Sequence, residues 1–245
     1  MRLDPRQFPA FAVDLDGVVT QTAGIHAAAW KRLFDDLQLP FDIDTDYRTY
    51  VDGKLRRDGL RSFLAARGVS RPEGAADDTP EIETIHGLAA RKNRYVLDML
   101  ARERVPVHPD AIRLLHSARS RGVRLAVVTA SENCAAVLAS ARLSELFDAR
   151  VDGVEVARLG LRGKPAPDSF VEAARRLGTS PEHTAVFEDA VAGVQAAKTG
   201  GFGLVVGVDR AGQTEALRRA RADVVVTSLD EIELRDEDAN PEARR

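Results

Sequence analysis

Five short apolar runs, separated by stretches with helical periodicity, constrain the fold of this chain more than any other feature. Each run is continuously apolar, which is typical of strands that are buried on both faces of a parallel sheet. Strands that alternate with helices in this way predict a doubly wound α/β fold. The apolar runs are residues 11–13, 125–128, 185–187, 204–206 and 224–226. The helical stretches are residues 111–120, 135–143, 169–177, 191–198 and 214–221.

The segment from about residue 20 to residue 105 breaks this rhythm. Apolar side chains recur there at helical spacing, as at Ile25, Ala29 and Leu33, without a clear strand pattern. A helical insertion after the first strand explains this. A run rich in Pro, Gly, Ala and Asp predicts a loop within it, at residues 71–80. We therefore expect a core domain of residues 1–21 and 106–232, a helical cap domain of residues 22–105 and a charged C-terminal tail of residues 233–245.

The composition excludes several classes of protein. The single cysteine, Cys134, rules out a disulfide framework and a cysteine-rich zinc site. The formal net charge of -3 argues against nucleic acid as the main partner. The apolar runs are far shorter than the roughly 18–20 residues that a membrane span needs. Asp14 and Asp16 interrupt the apolar stretch near the N-terminus, which argues against a signal peptide. We expect a monomeric, cytoplasmic protein with no membrane or nucleic-acid partner.

Polar side chains follow the first three of the apolar runs. Ligands bind at the carboxyl ends of strands in α/β sheets, so side chains at these positions are candidates for a functional site. Carboxylates follow the first and third runs, a hydroxyl group follows the second, and a lysine lies in the Gly-Lys-Pro loop between the second and the third. The candidates are Asp14, Asp16, Thr129, Lys164, Glu188 and Asp189.

The chemistry of these side chains points to phosphoryl transfer with a metal ion. Crowded carboxylates repel one another and raise one another's pKa, and a bound hard cation relieves the repulsion. Oxygen ligands suit Mg²⁺, which usually completes its shell with water and substrate phosphate. Lys164 and Thr129 can bind the remaining phosphate oxygens. One aspartate can act as a nucleophile that forms an aspartyl-phosphate, and a second can act as general acid and base.

These residues resemble, in order and spacing, the four motifs of the haloacid dehalogenase superfamily. The motifs are Asp14-Leu15-Asp16-Gly17-Val18, Thr129, Lys164-Pro165-Ala166-Pro167-Asp168 and Glu188-Asp189. The resemblance implies a Rossmann-like core with a cap, in which Asp14 is the nucleophile and Asp16 is the acid and base. Thr129 and Lys164 would hold the phosphoryl group. The implied Mg²⁺ ligands are Asp14, Asp16 through its backbone carbonyl, Glu188 and Asp189.

The expected cap resembles the β-phosphoglucomutase-like subfamily of that superfamily. Residues 22–26, Thr-Ala-Gly-Ile-His, followed by Trp30-Lys31, are similar to its first linker and cap helix. In the subfamily this histidine binds the acid–base aspartate and helps to gate it. The resemblance therefore gives His26 a catalytic role, and it places Thr22 at a hinge beside the substrate.

Two further cap segments resemble the substrate-binding parts of the subfamily. Residues 51–56, Val-Asp-Gly-Lys-Leu-Arg, are similar to the cap loop that enters the site. This likeness implies that Arg56 binds a substrate phosphate with the help of Lys54. The stretch Arg-Lys-Asn that begins at residue 91 is similar to the helix that supplies a sugar-contacting lysine, here Lys92.

One core loop matches the subfamily with a departure. Ser131 and Asn133 match the loop that receives the distal phosphate of the substrate. The mutase has a lysine between these two residues, whereas this chain has Glu132. An acidic group beside a phosphate weakens binding unless other cations offset it, so this change concerns the substrate and the mutase reaction, not the catalytic centre.

The implied reaction is a Mg²⁺-dependent interconversion of β-D-glucose 1-phosphate and glucose 6-phosphate through an aspartyl-phosphate, with a small sugar phosphate as the partner. Two alternatives stay open. A sugar-phosphate phosphatase would use the same nucleophile, and Glu132 favours it. A non-catalytic binding module would keep the fold alone. Packing, capping or surface roles also stay open for the less specific candidates, which are His26, Lys54, Arg56, Lys92, Ser131 and Asn133.

Overall fold

The apolar runs form the strands of a parallel sheet in the computed structural model, which describes residues 1–102 and 105–235. The strands are β1 (Arg2–Leu3), β2 (Ala10–Val13), β3 (Arg124–Val128), β4 (Ala149–Val151), β5 (Thr184–Glu188), β6 (Leu204–Val208), β7 (Val224–Val226) and β8 (Glu233–Leu234). Over the described residues, a six-stranded parallel sheet has the order β4, β3, β2, β5, β6, β7, and β1 pairs separately with β8. This arrangement confirms the predicted doubly wound parallel-sheet fold.

Helices connect the strands and cover the sheet. The α-helices are α1 (Ala23–Asp36), α2 (Arg56–Ala66), α3 (Ile85–Leu100), α4 (Pro109–Ser120), α5 (Cys134–Ala141), α6 (Gly153–Leu159), α7 (Asp168–Arg176), α8 (Val191–Thr199) and α9 (Thr214–Arg219). A π-helical turn covers Tyr47–Val51, and 3₁₀ turns cover Pro181–His183 and Leu229–Glu231. None of the helices that the structure describes is long and apolar enough to cross a membrane.

Both faces of the sheet are buried, which explains why its strands read as continuously apolar. Along β2, Phe11 and Val13 belong to one hydrophobic cluster together with residues of α4 and α5. Ala10 and Ala12 point to the opposite face, into a second cluster with residues of α7 and α8. Successive side chains of a strand point to opposite faces, so helices on both sides require apolar residues at every position.

The register of the parallel strands brings the polar residues together. The strand β2 lies in the middle of the sheet, between β3 and β5, and Val13 pairs with both Val127 and Phe187. The residues that follow Val13, Val127 and Phe187 therefore lie side by side at the carboxyl edge of the sheet. Asp14, the end of β3 and Glu188 are therefore neighbours although they are distant in the sequence.

A third hydrophobic cluster lies among the helices that follow β2. It joins residues of α1, α2 and α3, and its centre is aromatic. The Phe34 ring lies 4.0 Å from the Phe63 ring, 4.9 Å from Phe41 and 5.4 Å from Trp30, measured between ring centroids. This segment has its own core, as a helical cap domain should. The proposed boundaries of the cap at residues 22 and 105 remain a prediction.

Some elements of the fold leave no recognisable pattern in the sequence. The strand β4 has only three residues, and the helix α6 that follows it is short, so neither has a detectable period. The tail was expected to begin at Glu233, but Glu233 and Leu234 pair with Arg2 and Leu3. Leu3 and Leu234 are buried in the core, which explains this extra pairing. Residues 236–245 of the expected tail lie outside the described part of the chain.

We predict that Phe63→Ala destabilises the protein by about 3–5 kcal/mol, because it leaves a cavity in the centre of the aromatic cluster. Phe63 is fully buried and contacts the rings of Phe34, Phe41 and Tyr50. Urea unfolding followed by circular dichroism measures the change. Ile43→Ala is the matched control, since Ile43 lies in the same segment but is 42% exposed. Equal losses of stability in the two variants would contradict the prediction.

Candidate active site

Most of the candidate residues line one cavity between the carboxyl edge of the sheet and the helices of the cap, whereas Thr22, Asn133 and Lys164 are not part of its lining. From the core, Asp14, Asp16, Thr129, Ser131, Glu188 and Asp189 line it, and from the cap, His26, Lys54, Arg56 and Lys92 do so. Asp14 is fixed directly after β2, because its backbone N–H donates to the carbonyl of Phe187, 2.9 Å away on the neighbouring strand. The cavity therefore collects side chains from strand ends and from the inserted helices.

The ammonium group of Lys164 lies between two of the carboxylates. Its Nζ donates to Asp14 Oδ1 at 2.5 Å and to Glu188 Oε2 at 2.8 Å. All three side chains are buried. Burial by itself would lower the pKa of Lys164, but the two carboxylates outweigh it and raise the pKa above its ordinary value. Lys164 therefore stays protonated at the position where a phosphoryl group would need positive charge.

Three carboxylates converge beside this lysine. Among the described residues, Asp14, Glu188 and Asp189 each have a carboxylate oxygen that lies within 4.8 Å of those of the other two. Burial raises the pKa of each of the three, and for Asp14 the neighbouring Glu188 adds to the effect. One ammonium group does not balance three carboxylates, so the cluster can be fully ionised away from water only if it gains further positive charge.

A divalent cation fits this cluster. The donor set consists of oxygen atoms only, which suits Mg²⁺. The backbone of Gly17 comes so close that a Cβ atom there would lie 1.9 Å from Asp189 Oδ2, and Gly17 has a φ of +94°. Only glycine leaves room for the Asp189 carboxylate at this point. The side chain of Asp16 does not belong to the cluster, which agrees with a metal contact through its backbone carbonyl.

The carboxylate of Asp16 is held instead by hydrogen bonds from both the core and the start of the cap. Thr129 donates to Asp16 Oδ2 at 3.0 Å, and the Thr22 hydroxyl donates to Asp16 Oδ1. His26 Nε2 lies 3.5 Å from the same Oδ1 atom. Thr22 precedes the first residue of α1, so the start of the cap helix contacts Asp16 directly. A carboxylate in this position lines the cavity and can exchange a proton with a group that binds there.

A buried lysine orients the histidine. Lys92 Nζ lies 2.9 Å from His26 Nδ1 and 5.0 Å from the centroid of the Trp30 ring. Burial, followed by the positive charge of Lys92, lowers the pKa of His26 to about 4. The imidazole is therefore neutral near pH 7. If Lys92 donates to Nδ1, the ring proton is on Nε2 and faces Asp16.

The loop after β3 faces the cap through polar contacts. The backbone N–H of Ser131 donates to Thr129 Oγ1 at 3.0 Å, and Asn133 Nδ2 donates to Asn93 Oδ1 of the cap at 2.8 Å. Between these residues, Glu132 Oε2 lies 3.4 Å from an Nη atom of Arg56. The loop that was expected to receive a distal phosphate thus lies next to the arginine expected to bind it.

Comparison with known proteins identifies the family. The model of the haloacid dehalogenase-like hydrolases matches residues 8–201. The chain belongs to this family. A β-phosphoglucomutase of Mycobacterium tuberculosis (strain CDC 1551 / Oshkosh) is 44% identical over 242 residues, which cover 93% of this chain and 92% of that protein. The β-phosphoglucomutase of Bacillus subtilis (strain 168) is 34% identical over 227 residues, with 92% of each chain covered.

Solved structures of this haloacid dehalogenase-like family include close neighbours of the chain. The crystal structure of β-phosphoglucomutase from Clostridium difficile has a TM-score of 0.76 and 28% sequence identity, and the match covers 91% of this chain and 92% of that one. The expected resemblance to the superfamily and to its β-phosphoglucomutase-like members is therefore confirmed. The roles of individual residues remain predictions.

Two predicted residues have contacts other than those that their roles suggest. Thr22 was expected beside the substrate, but its hydroxyl bonds to Asp16 and to Thr20. Lys54 lines the cavity, yet its ammonium group donates to Ser62 Oγ at 3.1 Å within the cap. In both cases a nearby acceptor in the fold competes for the polar group, which spacing in the sequence does not reveal.

The cap of this haloacid dehalogenase-like chain also contributes residues that the sequence analysis did not single out. Asp52 and Tyr47 line the cavity. Burial raises the pKa of Asp52 to about 6, although a hydrogen bond from Tyr47 opposes the shift, and the charges of Asp14 and Asp16 add to it. Gly53, which follows Asp52, packs against Ala190 in the loop after β5. The Asp-Gly pair within the cap loop was the available signal.

We predict that His26 makes the folded state less stable as the pH falls from 6.5 to about 4. The ordinary pKa of 6.5 applies to the unfolded chain, whereas the folded value is about 4. In this range only the unfolded chain binds the proton, so protonation favours unfolding, and the contribution of neutral His26 is complete above pH 6.5.

His26→Gln should therefore flatten the dependence of unfolding free energy on pH by up to roughly 1.4 kcal/mol per pH unit. Urea unfolding between pH 4 and pH 7 measures the slope. His116→Gln is the control, because His116 is exposed. An identical slope in His26→Gln and the unaltered protein would show that the buried imidazole has no such effect.

Proposed function

We propose that this chain is a Mg²⁺-dependent phosphosugar mutase that interconverts β-D-glucose 1-phosphate and glucose 6-phosphate. The observation that carries the proposal is the 44% identity to a β-phosphoglucomutase over nearly the full length of both proteins. The site supports it, since Asp14, Lys164 and Glu188 meet at the strand ends while cationic cap residues line the other side of the cavity. A bisphosphorylated sugar needs positive charge on both sides.

Asp14 is the proposed nucleophile. One of its carboxylate oxygens attacks the phosphorus of a sugar bisphosphate, and the bond between phosphorus and the sugar oxygen breaks. The electron pair stays on the sugar oxygen, which takes a proton from Asp16. In the second half, Asp16 takes a proton from the 6-hydroxyl of a new β-D-glucose 1-phosphate, whose oxygen attacks the phosphorus of the aspartyl-phosphate; the bond to Asp14 breaks and the bisphosphate is formed again. Lys164 neutralises negative charge on the phosphoryl oxygens throughout.

The carboxylates of Asp14, Glu188 and Asp189 would hold Mg²⁺ together with the backbone carbonyl of Asp16. When bound, the ion neutralises charge on the transferring phosphoryl group. The roles that we propose for Thr129 and His26 follow from their contacts with Asp16. They fix the acid–base carboxylate. The Thr129 hydroxyl, whose single proton goes to Asp16 here, would turn to a phosphoryl oxygen when a substrate binds.

The cap decides whether transfer goes to sugar or to water. An aspartyl-phosphate that is open to solvent hydrolyses, so a mutase must exclude water while the sugar intermediate turns over in the site. The contacts of His26 with Asp16 and of Asn93 with Asn133 join the cap to the core around the cavity. They couple a closed cap to a correctly held acid–base residue, which favours transfer to the sugar.

A sugar-phosphate phosphatase is the second candidate, and Glu132 is the observation that favours it. The carboxylate of Glu132 is beside the proposed site of the distal phosphate, where it opposes a second phosphate group. A substrate with one phosphate would not meet this repulsion, and water would then replace the sugar hydroxyl as the acceptor.

We predict that the protein converts β-D-glucose 1-phosphate into glucose 6-phosphate in the presence of Mg²⁺ and a trace of glucose 1,6-bisphosphate. Phosphorus NMR distinguishes this product from free phosphate. Asp14→Asn should lower the rate by roughly a thousandfold or more, because the nucleophile is lost. The control is Glu145→Gln, which changes an exposed residue on the surface of the core domain. Release of phosphate without isomerised sugar would support the phosphatase instead, and turnover by Asp14→Asn would refute the assignment of the nucleophile.

We predict that Asp189→Asn weakens Mg²⁺ binding by roughly tenfold or more, because one of the converging negative charges is removed. Titration calorimetry without any sugar phosphate measures the affinity independently of turnover. Glu145→Gln should leave it unchanged, since that side chain is outside the carboxylate cluster. An unaltered Mg²⁺ affinity in Asp189→Asn would place the ion elsewhere.

A further inference from the structure

An ion pair crosses the cleft at the proposed site of the distal phosphate. Arg56 is the first residue of α2 in the cap, and Glu132 lies in the core loop between β3 and α5. Their charged groups are 3.4 Å apart. The Arg56 side chain is 13% exposed, whereas that of Glu132 is 42% exposed. The cation is therefore held in the cavity, while its partner has access to water.

The backbone fixes the position of Glu132. Gly153 donates its N–H to the carbonyl of Ser131 at 3.0 Å. A Cβ atom on Gly153 would lie 3.0 Å from Cγ of Glu132 and 2.7 Å from the carbonyl oxygen of Ala130. The loop therefore packs closely against the start of α6, which holds the backbone of Glu132 where its carboxylate reaches Arg56.

We propose that Glu132 sets the affinity of the site for a sugar bisphosphate by competing with the distal phosphate for Arg56. This inference rests on the proposed mutase function, which assigns that phosphate to Arg56, Ser131 and Asn133. A phosphate bound to Arg56 at hydrogen-bond distance would lie beside the Glu132 carboxylate. The two anions repel each other, and the phosphate must displace Glu132 from the guanidinium group.

The difference in exposure determines how the exchange proceeds. Glu132 can rotate into water at little cost, because almost half of its side chain is already exposed. Arg56 has no equivalent freedom. The carboxylate therefore leaves when the phosphate arrives and returns when the phosphate leaves, which makes the bound bisphosphate easier to release.

Easier release is useful in a mutase. The bisphosphate must give up its contacts with the distal loop and turn round so that its other phosphate meets Asp14. A lysine in place of Glu132 would strengthen the contacts that have to be broken. Glu132 weakens the bisphosphate complex, and it acts less on a ligand that lacks the distal phosphate. Glu132 therefore determines how strongly the site prefers a bisphosphate over a ligand with one phosphate.

Calorimetric titration with glucose 1,6-bisphosphate and Mg²⁺ tests the proposal in the Asp14→Asn protein, which cannot be phosphorylated at that residue. Adding Glu132→Gln should tighten binding roughly two- to fivefold, the range for a partly exposed charge. The gain should shrink at high salt, because salt screens exposed charges. Adding Glu145→Gln should leave the affinity unchanged, since that side chain is exposed on the core surface.

A double-mutant cycle shows whether the effect passes through Arg56. In a protein that also has Arg56→Gln, the change Glu132→Gln should alter the affinity by less than in the protein that keeps Arg56. Unchanged or weaker binding on Glu132→Gln, an equal gain with and without Arg56, or no detectable binding of the bisphosphate overturns the proposal. The isomerisation assay on the unaltered protein decides the mutase function separately, so the two failures are distinguishable.

Discussion

The buried contact of Lys164 with Asp14 and Glu188 connects the fold to the chemistry. Moving an ammonium group and carboxylates out of water costs several kcal/mol per ion, and their mutual attraction offsets this only when the geometry is good. Apolar residues of similar size would stabilise the same edge of the sheet at least as well. Charges that remain in such a position therefore indicate function, and perturbed groups cluster at functional sites for this reason.

The parallel register makes this contact possible. Asp14 and Glu188 are at the ends of the neighbouring strands β2 and β5, and Lys164 comes from the loop before α7. The two carboxylates are held by strands whose side chains are buried on both faces. Converging charges repel one another, and only a rigid sheet with two apolar layers can hold them in place against that repulsion.

Those parts of the molecule that depend on strand order could be predicted from the sequence. Asp14, Thr129 and Glu188 follow apolar runs, so their meeting at one edge follows from the parallel sheet. The strand β4 escaped prediction because its three residues include the exposed Arg150. The helix α3 begins at Ile85, after Thr84, whose hydroxyl accepts the N–H of Gly87 and ends the irregular loop.

Contacts between cap and core could not be predicted in the same way. The hydrophobic periodicity of a sequence does not show how two elements are placed relative to each other. This applies to the pairs Arg56–Glu132 and His26–Asp16, in which one residue comes from the cap and the other from the core. The direction of Lys54 depends on a hydroxyl group within its own helix region. A motif identifies the kind of residue that reaches the cavity, while the competing acceptors around it decide where the side chain points.

The interiors of the cap and the core are apolar, whereas the contacts between them are largely polar, and this difference matters for turnover. Each part has an apolar cluster of its own, whereas the contacts around the cavity are polar pairs, such as Asn93–Asn133 and Arg56–Glu132, beside a small apolar contact of Leu55 with the core. Arg48 adds another polar contact by donating to the carbonyl of Ala211 at 2.8 Å. Partly exposed polar pairs contribute about 1 kcal/mol or less each, so opening the cap costs far less than unfolding either cluster.

In the proposed reaction, the ligand would therefore decide how long the cap stays closed. A sugar phosphate that contacts Lys164 on one side and Arg56 on the other would link the two parts more strongly than their own polar pairs do. Water provides no such link. If Asp14 is the nucleophile, as we propose, a cap that closes firmly only on a ligand with charge at both ends would expose the phosphorylated Asp14 to sugar hydroxyls and shield it from solvent, which is the distinction between a mutase and a phosphatase.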